Sequence, residues 1–269
     1  MKFIRALLII IACALIGVIG YSGYQIYGIN QDNVQEANMH NRLMQYRPET
    51  PELLSTDSAF KSILSEPTLE TPTDLTLDET ANIVNQSIVD LQTVHPDAVG
   101  WLTVPNTKID YPFAQGQSND TYLHLDLDQS RSAAGTLFMD FRNNSDFSDF
   151  NTIIFGHHMR SGSMFGTLQQ FNNQAFFENN RNGTIFLADK TYAVEFIAFS
   201  VIFSDDAVIY NPVIMTDTQA TEFLDHVKNS SRYYRDVGVT ANDRFVTLST
   251  CNYEFEDARM VLIGRLTEM

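Results

Sequence analysis

Phe245-Val246-Thr247-Leu248-Ser249-Thr250-Cys251 is the stretch whose reading decides the fold. The β-branched and apolar run from Phe245 to Thr250 has the composition of a buried strand. Cys251 stands where that strand stops, a position that holds a side chain rigidly while letting it face a cleft. The chain has 2 cysteines, and the other, Cys13, lies in an N-terminal apolar segment. With the remainder of the chain outside the cell, Cys251 has no disulfide partner, and a lone thiol in an oxidising compartment is either buried or used. It is therefore the first candidate nucleophile, with a packed core thiol as the alternative.

A second stretch repeats the design. Thr152-Ile153-Ile154-Phe155-Gly156-His157 is a short apolar strand that ends directly in a titratable side chain. His157 and Cys251 lie far apart in the chain, so only the fold can bring them together. An imidazole beside a thiol can deprotonate it, or stand with it as a preformed thiolate–imidazolium pair. A core cysteine and a turn histidine that never meet satisfy the same pattern. Arg259 heads the apolar run Met260-Val261-Leu262-Ile263, and antiparallel pairing of the last two strands sets it opposite Cys251. There its five fixed donors can stabilise an oxyanion or clamp a peptide carbonyl. A rim salt bridge to Glu254, Glu256 or Asp257 is the other use of an arginine at that place. Metal and phosphate chemistry find little support. His157-His158 is adjacent rather than spaced i, i+4, no paired Cys-x-x-Cys or His-Glu-x-x-His occurs, and the sequence lacks a Gly-rich phosphate loop and a Gly-x-Ser-x-Gly elbow. Asp126, Asp128 and Asp140 read as turn carboxylates, so neither a metal nor a cofactor is expected.

The chain carries 33 acidic against 17 basic residues, a net charge of −16. Such a balance repels phosphate backbones and argues against nucleic-acid binding. At the N-terminus, Lys2 and Arg5 precede an apolar stretch from Ala6 to about Tyr27. Some 22 residues at 1.5 Å each give about 33 Å, close to the hydrocarbon thickness of a bilayer. The basic residues on the near side and Asp32 and Glu36 beyond it orient the N-terminus towards the cytoplasm, with Tyr21, Tyr24 and Tyr27 as an interfacial belt. No small-x-small site closes the run as a cleaved signal would. The expected organisation is an anchor over residues 1–30, an extracytoplasmic helix and flexible linker over 31–76, and a globular domain over 77–269.

The linker is read from Pro48, Pro51, Pro67 and Pro72 among Thr, Ser and Glu between Arg47 and Leu75. Thr76-Leu77-Asp78-Glu79 has the form of a capping box, and it opens a helix predicted to run to Val94, stopped by Pro96. Strands are predicted near Val99–Val104, Ile109–Phe113, Gly135–Asp140, Thr152–Phe155, Thr184–Ala188, Thr191–Phe203, Arg244–Thr250 and Met260–Leu266. Ala188-Asp189-Lys190-Thr191 joins two of them as a hairpin would. Helical patches are predicted over Met164–Phe171, Gln174–Asn179 and Asp217–Ser231. About eight short strands with only short helices between them favour an antiparallel or mixed β-barrel over a doubly wound sheet.

Taken together, these residues resemble the sortase family. Thr247-Leu248-Ser249-Thr250-Cys251 matches its Thr-Leu-x-Thr-Cys signature, Gly156-His157 its histidine motif, and Arg259 the arginine of the following strand. Val99-Gly100-Trp101-Leu102, Ile109-Asp110-Tyr111-Pro112, Leu137-Phe138-Met139-Asp140-Phe141-Arg142-Asn143 and Met164-Phe165-Gly166-Thr167-Leu168 resemble class B in particular, as does a helix placed before the last strands. The likeness runs in order from about Leu77 to Leu266. It implies a mainly β fold, an eight-stranded barrel with an N-terminal helix. It further implies a cysteine transpeptidase on the outer face of a Gram-positive membrane. By the same likeness Cys251 attacks a backbone carbonyl in the C-terminal sorting motif of a secreted protein. A peptidoglycan cross-bridge amine, or a pilin lysine, then resolves the thioacyl-enzyme. His157, which follows the glycine directly where His158 does not, is the implied acid and base. Arg259 holds the motif carbonyl or oxyanion, and Ser249 and Thr250 are implied to touch substrate.

Two other classes share these residues. A hydrolytic cysteine peptidase uses the same nucleophile but releases an acid. A catalytically silent surface-anchored binding domain keeps the barrel without the chemistry.

Overall fold

The computed structural model describes residues 2–49, 84–251 and 257–269. The chain divides into two compact units, Met1–Arg42 and Leu43–Met269. The first is a single helix, α1 (Lys2–Leu43), which continues unbroken through the expected boundary at residue 30. Nothing interrupts it because no proline occurs before Pro48. By length and composition it can cross a membrane. Leu15, Ile16, Val18 and Ile19 are exposed along it, which is what an apolar helix with no protein neighbour presents.

The second unit begins at Leu43, which is 6% exposed, followed by a 3-10 turn, Met44–Tyr46. Arg47 then donates from Nε to Asp110 at 2.7 Å, and the other oxygen of Asp110 accepts from the Trp101 indole at 2.7 Å. The start of the segment expected to be a free linker is thus ion-paired to the barrel. The remainder of that linker and the capping box Thr76–Glu79 lie outside the described residues. Of the helix predicted before Pro96, α2 (Gln86–Val94) is described, with Ile88 and Leu91 fully buried. Asn85 at its head donates its backbone N–H to the Ala188 carbonyl at 2.8 Å.

The barrel strands are β1 (Ala98–Thr103), β2 (Asp110–Ala114), β3 (Leu137–Met139), β4 (Asn151–Phe155), β5 (Asn182–Leu187), β6 (Thr191–Phe203), β7 (Tyr233–Tyr234), β8 (Arg244–Cys251) and β9 (Ala258–Glu268). They run in the order β5-β1-β2-β3-β4-β8-β9-β6, and pairing of β5 with β6 closes the ring at eight strands. The two-residue β7 adds to β6 alone, outside that closure. Pairs β2–β3 and β4–β8 are parallel and the others antiparallel, so the barrel is mixed, as expected. Closure leaves few strand edges open to water or to another chain.

Alternation along the strands separates an inner from an outer apolar layer. Val246 and Leu248 of β8 and Met260 and Leu262 of β9 pack inside with Phe113, Leu137 and Phe196. Phe245, Val261 and Ile263 face outward, into a second cluster with Phe223 and Val227. Those two belong to the helix α4 (Asp217–Ser230), which follows a 3-10 helix (Gly166–Asn172) and the short α3 (Gln174–Asn179). Thr216 caps α4 by accepting the Gln219 N–H at 3.2 Å. The long strand β6 serves both layers. Tyr192, Val194 and Phe196 point inward, then a bulge between Phe196 and Ala198 reverses the phase, so that Phe199 points inward and Ile197 and Ile202 outward.

Candidate active site

The site is set by where strands β4, β8 and β9 end. In β8 the even-numbered residues face the barrel interior, so Thr247 and Ser249 stand on the outer face. Cys251 is the last residue of β8 and pairs directly with Arg259 of β9. Directly paired residues of an antiparallel ladder lie on one face, so the antiparallel pairing read from the sequence brings these two positions together. β4 lies parallel on the other side of β8, with Phe155 level with Ser249. The pairing carries one step further, since the Gly156 N–H donates to the Ser249 carbonyl at 3.1 Å. His157 and Cys251 are each two residues beyond that level, Cys251 as the last residue of β8 and His157 just past the end of β4.

Gly156 lets the Leu137 and Phe165 side chains close over the end of β4. A Cβ on it would lie 2.8 Å from the Phe165 ring and closer still to Leu137. His157 is half-buried, and its Nε2 lies 2.7 Å from the Leu123 carbonyl oxygen. A carbonyl only accepts, so Nε2 carries the hydrogen and Nδ1 is left as the nitrogen that can exchange a proton. The exposed His124 ring stacks on His157 at 5.9 Å between centroids. Arg259 is half-buried and donates from one terminal nitrogen to the Ala258 carbonyl at 3.0 Å. The candidate salt-bridge partners Glu254 and Glu256 lie outside the described residues.

Ser249 is 1% exposed, and its hydroxyl lies 2.8 Å from that of Tyr210. Thr250 is 3% exposed and faces the barrel interior, where its hydroxyl has no hydrogen-bond partner among the described residues. Strand alternation thus puts it on the opposite face of β8 from Ser249, the other residue implied to touch substrate. Among the described residues no group of three or more His, Cys, Asp or Glu is arranged to hold a metal ion. Asp140, weighed above as a turn carboxylate, is instead fully buried and held by Arg142 at 2.9 and 2.8 Å.

Several residues that build this site carry no local motif. The loop between β6 and α4 walls it with Tyr210, whose ring stacks on Phe155 at 6.1 Å. Buried Asn151 donates to the Ile209 carbonyl at 3.0 Å and accepts from the Thr247 hydroxyl at 2.8 Å, tying that loop to β4 and β8. Asn151 heads β4, one residue before the predicted strand Thr152–Phe155, so as a polar residue at a strand start it gave no signal of its role. The Leu123 carbonyl that orients His157 had none either, because any residue supplies one.

The closed mixed barrel with a helix before its last strands, and cysteine, histidine and arginine at adjoining strand ends, defines a class, and the comparisons with known proteins agree with it. A model of the sortase domain matches residues 102–267, and the chain belongs to the sortase family, whose members are cysteine transpeptidases. Within it, class B is the branch. The chain is 38% identical to sortase B of Listeria monocytogenes over 185 residues, covering 68% of this chain and 75% of that one. It is 32% identical to sortase B of Staphylococcus aureus over 185 residues, 66% of this chain and 74% of that one. A structure of the Staphylococcus aureus sortase B–substrate complex superimposes with a TM-score of 0.70 at 26% identity, covering 89% of this chain and 99% of that one. Sortase B enzymes act in cell wall anchoring, so the resemblance read from the motifs and the barrel expected from it are both borne out.

Proposed function

We propose that this chain cleaves the C-terminal sorting motif of secreted proteins and joins the new carboxyl end to a cell wall amine, with Cys251 as nucleophile. The Cys251 thiolate attacks the carbonyl carbon of the scissile bond, and Arg259 offers a fixed positive charge to the oxygen that becomes negative. As the C–N bond breaks, the leaving amine takes a proton from Nδ1 of the His157 imidazolium, and a thioester remains on Cys251. An incoming amine attacks that thioester and gives its proton back to Nδ1. The C–S bond breaks, the thiolate returns and a new amide is formed, so no proton or electron is left over. Ser249 contributes a hydroxyl beside the reacting carbonyl.

One observation supports this assignment above the others: Cys251 pairs with Arg259 in the antiparallel ladder, while the parallel β4 ends alongside at Phe155, two residues before His157. The α1 helix serves as an anchor in this reading. Lys2 and Arg5 remain on the cytoplasmic side and the barrel works outside, where newly exported substrates emerge.

The test uses the full chain in detergent micelles, a fluorogenic peptide library with threonine before the scissile bond, and triglycine as acceptor. Wild type releases fluorophore and yields a triglycine-ligated product. Cys251→Ala loses both by at least about 1,000-fold while keeping the barrel's circular dichroism. Cleavage surviving in Cys251→Ala would sink the assignment, and hydrolysis without ligation at saturating triglycine would sink transpeptidation. Replacing triglycine by a peptide lysine separates a wall acceptor from a pilin one.

A further inference from the structure

The loop that walls the site is held by a charged side chain outside it. Asp140, just past β3, is fully buried, and among the described residues its carboxylate accepts four hydrogen bonds. Arg142 gives it Nε at 2.9 Å, a terminal nitrogen at 2.8 Å and its own backbone N–H at 3.0 Å, and the Asn119 amide gives 3.1 Å. A guanidinium is planar, so fixing two of its nitrogens fixes the direction of every remaining N–H. The terminal nitrogen that serves Asp140 also donates to the Tyr210 carbonyl at 3.1 Å. Tyr210 in turn meets Ser249 through its hydroxyl and Phe155 through its ring. A continuous chain of contacts therefore runs from the end of β3, through a half-exposed arginine, to the loop and on to the strand that ends in Cys251.

We propose that Arg142 is a positioning residue for the transpeptidation. Locked by Asp140, it holds the Tyr210 backbone so that the Tyr210 side chain and Ser249 form one wall of the peptide groove. Arg142 touches no reacting atom here, and its effect reaches substrate only through Tyr210. The inference rests on the active-site assignment above, and it predicts a division that a general structural role does not give. Recognition of a peptide needs the wall, whereas attack of the thiol on a small alkylating agent does not.

The experiment compares wild type, Arg142→Gln, Tyr210→Phe, their double variant and Cys251→Ala as full chains in detergent. It measures kcat and KM for a peptide taken from the library, and the rate at which iodoacetamide modifies the Cys251 peptide. Arg142→Gln is expected to raise KM about tenfold, the scale of one charge-assisted hydrogen bond. Its kcat and its iodoacetamide rate stay within about twofold of wild type. Introduced into Tyr210→Phe, the same change has a smaller effect on KM, because the hydroxyl link that it positions is already gone. Arg142→Lys keeps a positive charge beside the buried carboxylate and so guards against unfolding. Lacking the planar fork, it too raises KM.

An unchanged KM in Arg142→Lys and Arg142→Gln overturns the inference. So does a parallel fall in the iodoacetamide rate, or full additivity with Tyr210→Phe. If these variants behave as wild type while Cys251→Ala is inactive, only the positioning role fails. If Cys251→Ala still cleaves, the active-site assignment fails with it.

Discussion

Asp140 makes a buried carboxylate into a fixed point of the structure. Burial pushes its pKa up, but the hydrogen bonds from the Arg142 side chain and backbone, and from Asn119, outweigh that and hold the carboxyl below the usual range. A carboxyl depressed in the folded state contributes stability that is fully present above its ordinary value of 3.8 and is lost as pH falls through the lower folded value. Urea unfolding of wild type and Asp140→Asn should therefore differ by a constant amount at neutral pH and converge in acid below that value; a difference that widens on acidification would refute it. At the same scale, Ser249 and Thr250 show how far local rules reach. Their opposite faces follow from the two-residue period of a strand, so the inward turn of Thr250 was legible once β8 was recognised. The family likeness attached substrate contact to both residues, and alternation separates them. Tyr210 was legible only as part of a loop, because nothing in neighbouring residues says that its hydroxyl meets a serine on β8.

Elements were easiest to read where packing is periodic. The strands predicted from apolar runs lie within a few residues of those observed, and Asp217–Ser231 appears as α4 (Asp217–Ser230). The predicted helical patch Met164–Phe171 is instead a 3-10 helix, Gly166–Asn172, preceded by Met164 in a left-handed conformation at φ 50. Two-residue β7 escaped notice because it is too short to show a period and depends on β6 for its pairing. The bulge in β6 was equally hidden, since both phases of that strand are apolar. The α4 helix offers the clearest packing test. Phe223 is fully buried between Phe150 and Phe245, with ring centroids at 5.5 and 5.9 Å. Truncation to alanine should destabilise the barrel unit by about 3–4 kcal/mol in equilibrium urea unfolding. A loss under about 1 kcal/mol would mean that α4 is not an integral layer of the fold.

For the molecule as a whole, the alternating runs and the Ala188–Thr191 hairpin made a closed or nearly closed barrel legible. The strand order was not. Parallel partners such as β4 and β8 are joined by long stretches of chain, and their pairing depends on which faces fill one interior. The junction between the two units was also opaque, because the composition after Tyr46 suggests a free tether while Arg47 is held by Asp110. Arg47 and Asp110 are each about a third exposed, so that pair adds under about 1 kcal/mol to stability. Arg47→Ala should accordingly leave the unfolding midpoint nearly unchanged while speeding tryptic cleavage after Arg42; an unchanged cleavage rate would mean that the pair does not hold this segment down. A topological consequence follows from having Arg47 secured at β2 and Asn85 secured at the β5–β6 hairpin. Both holdfasts lie on the barrel unit itself, so the described chain on either side of residues 50–83 is moored to the same barrel that carries the site.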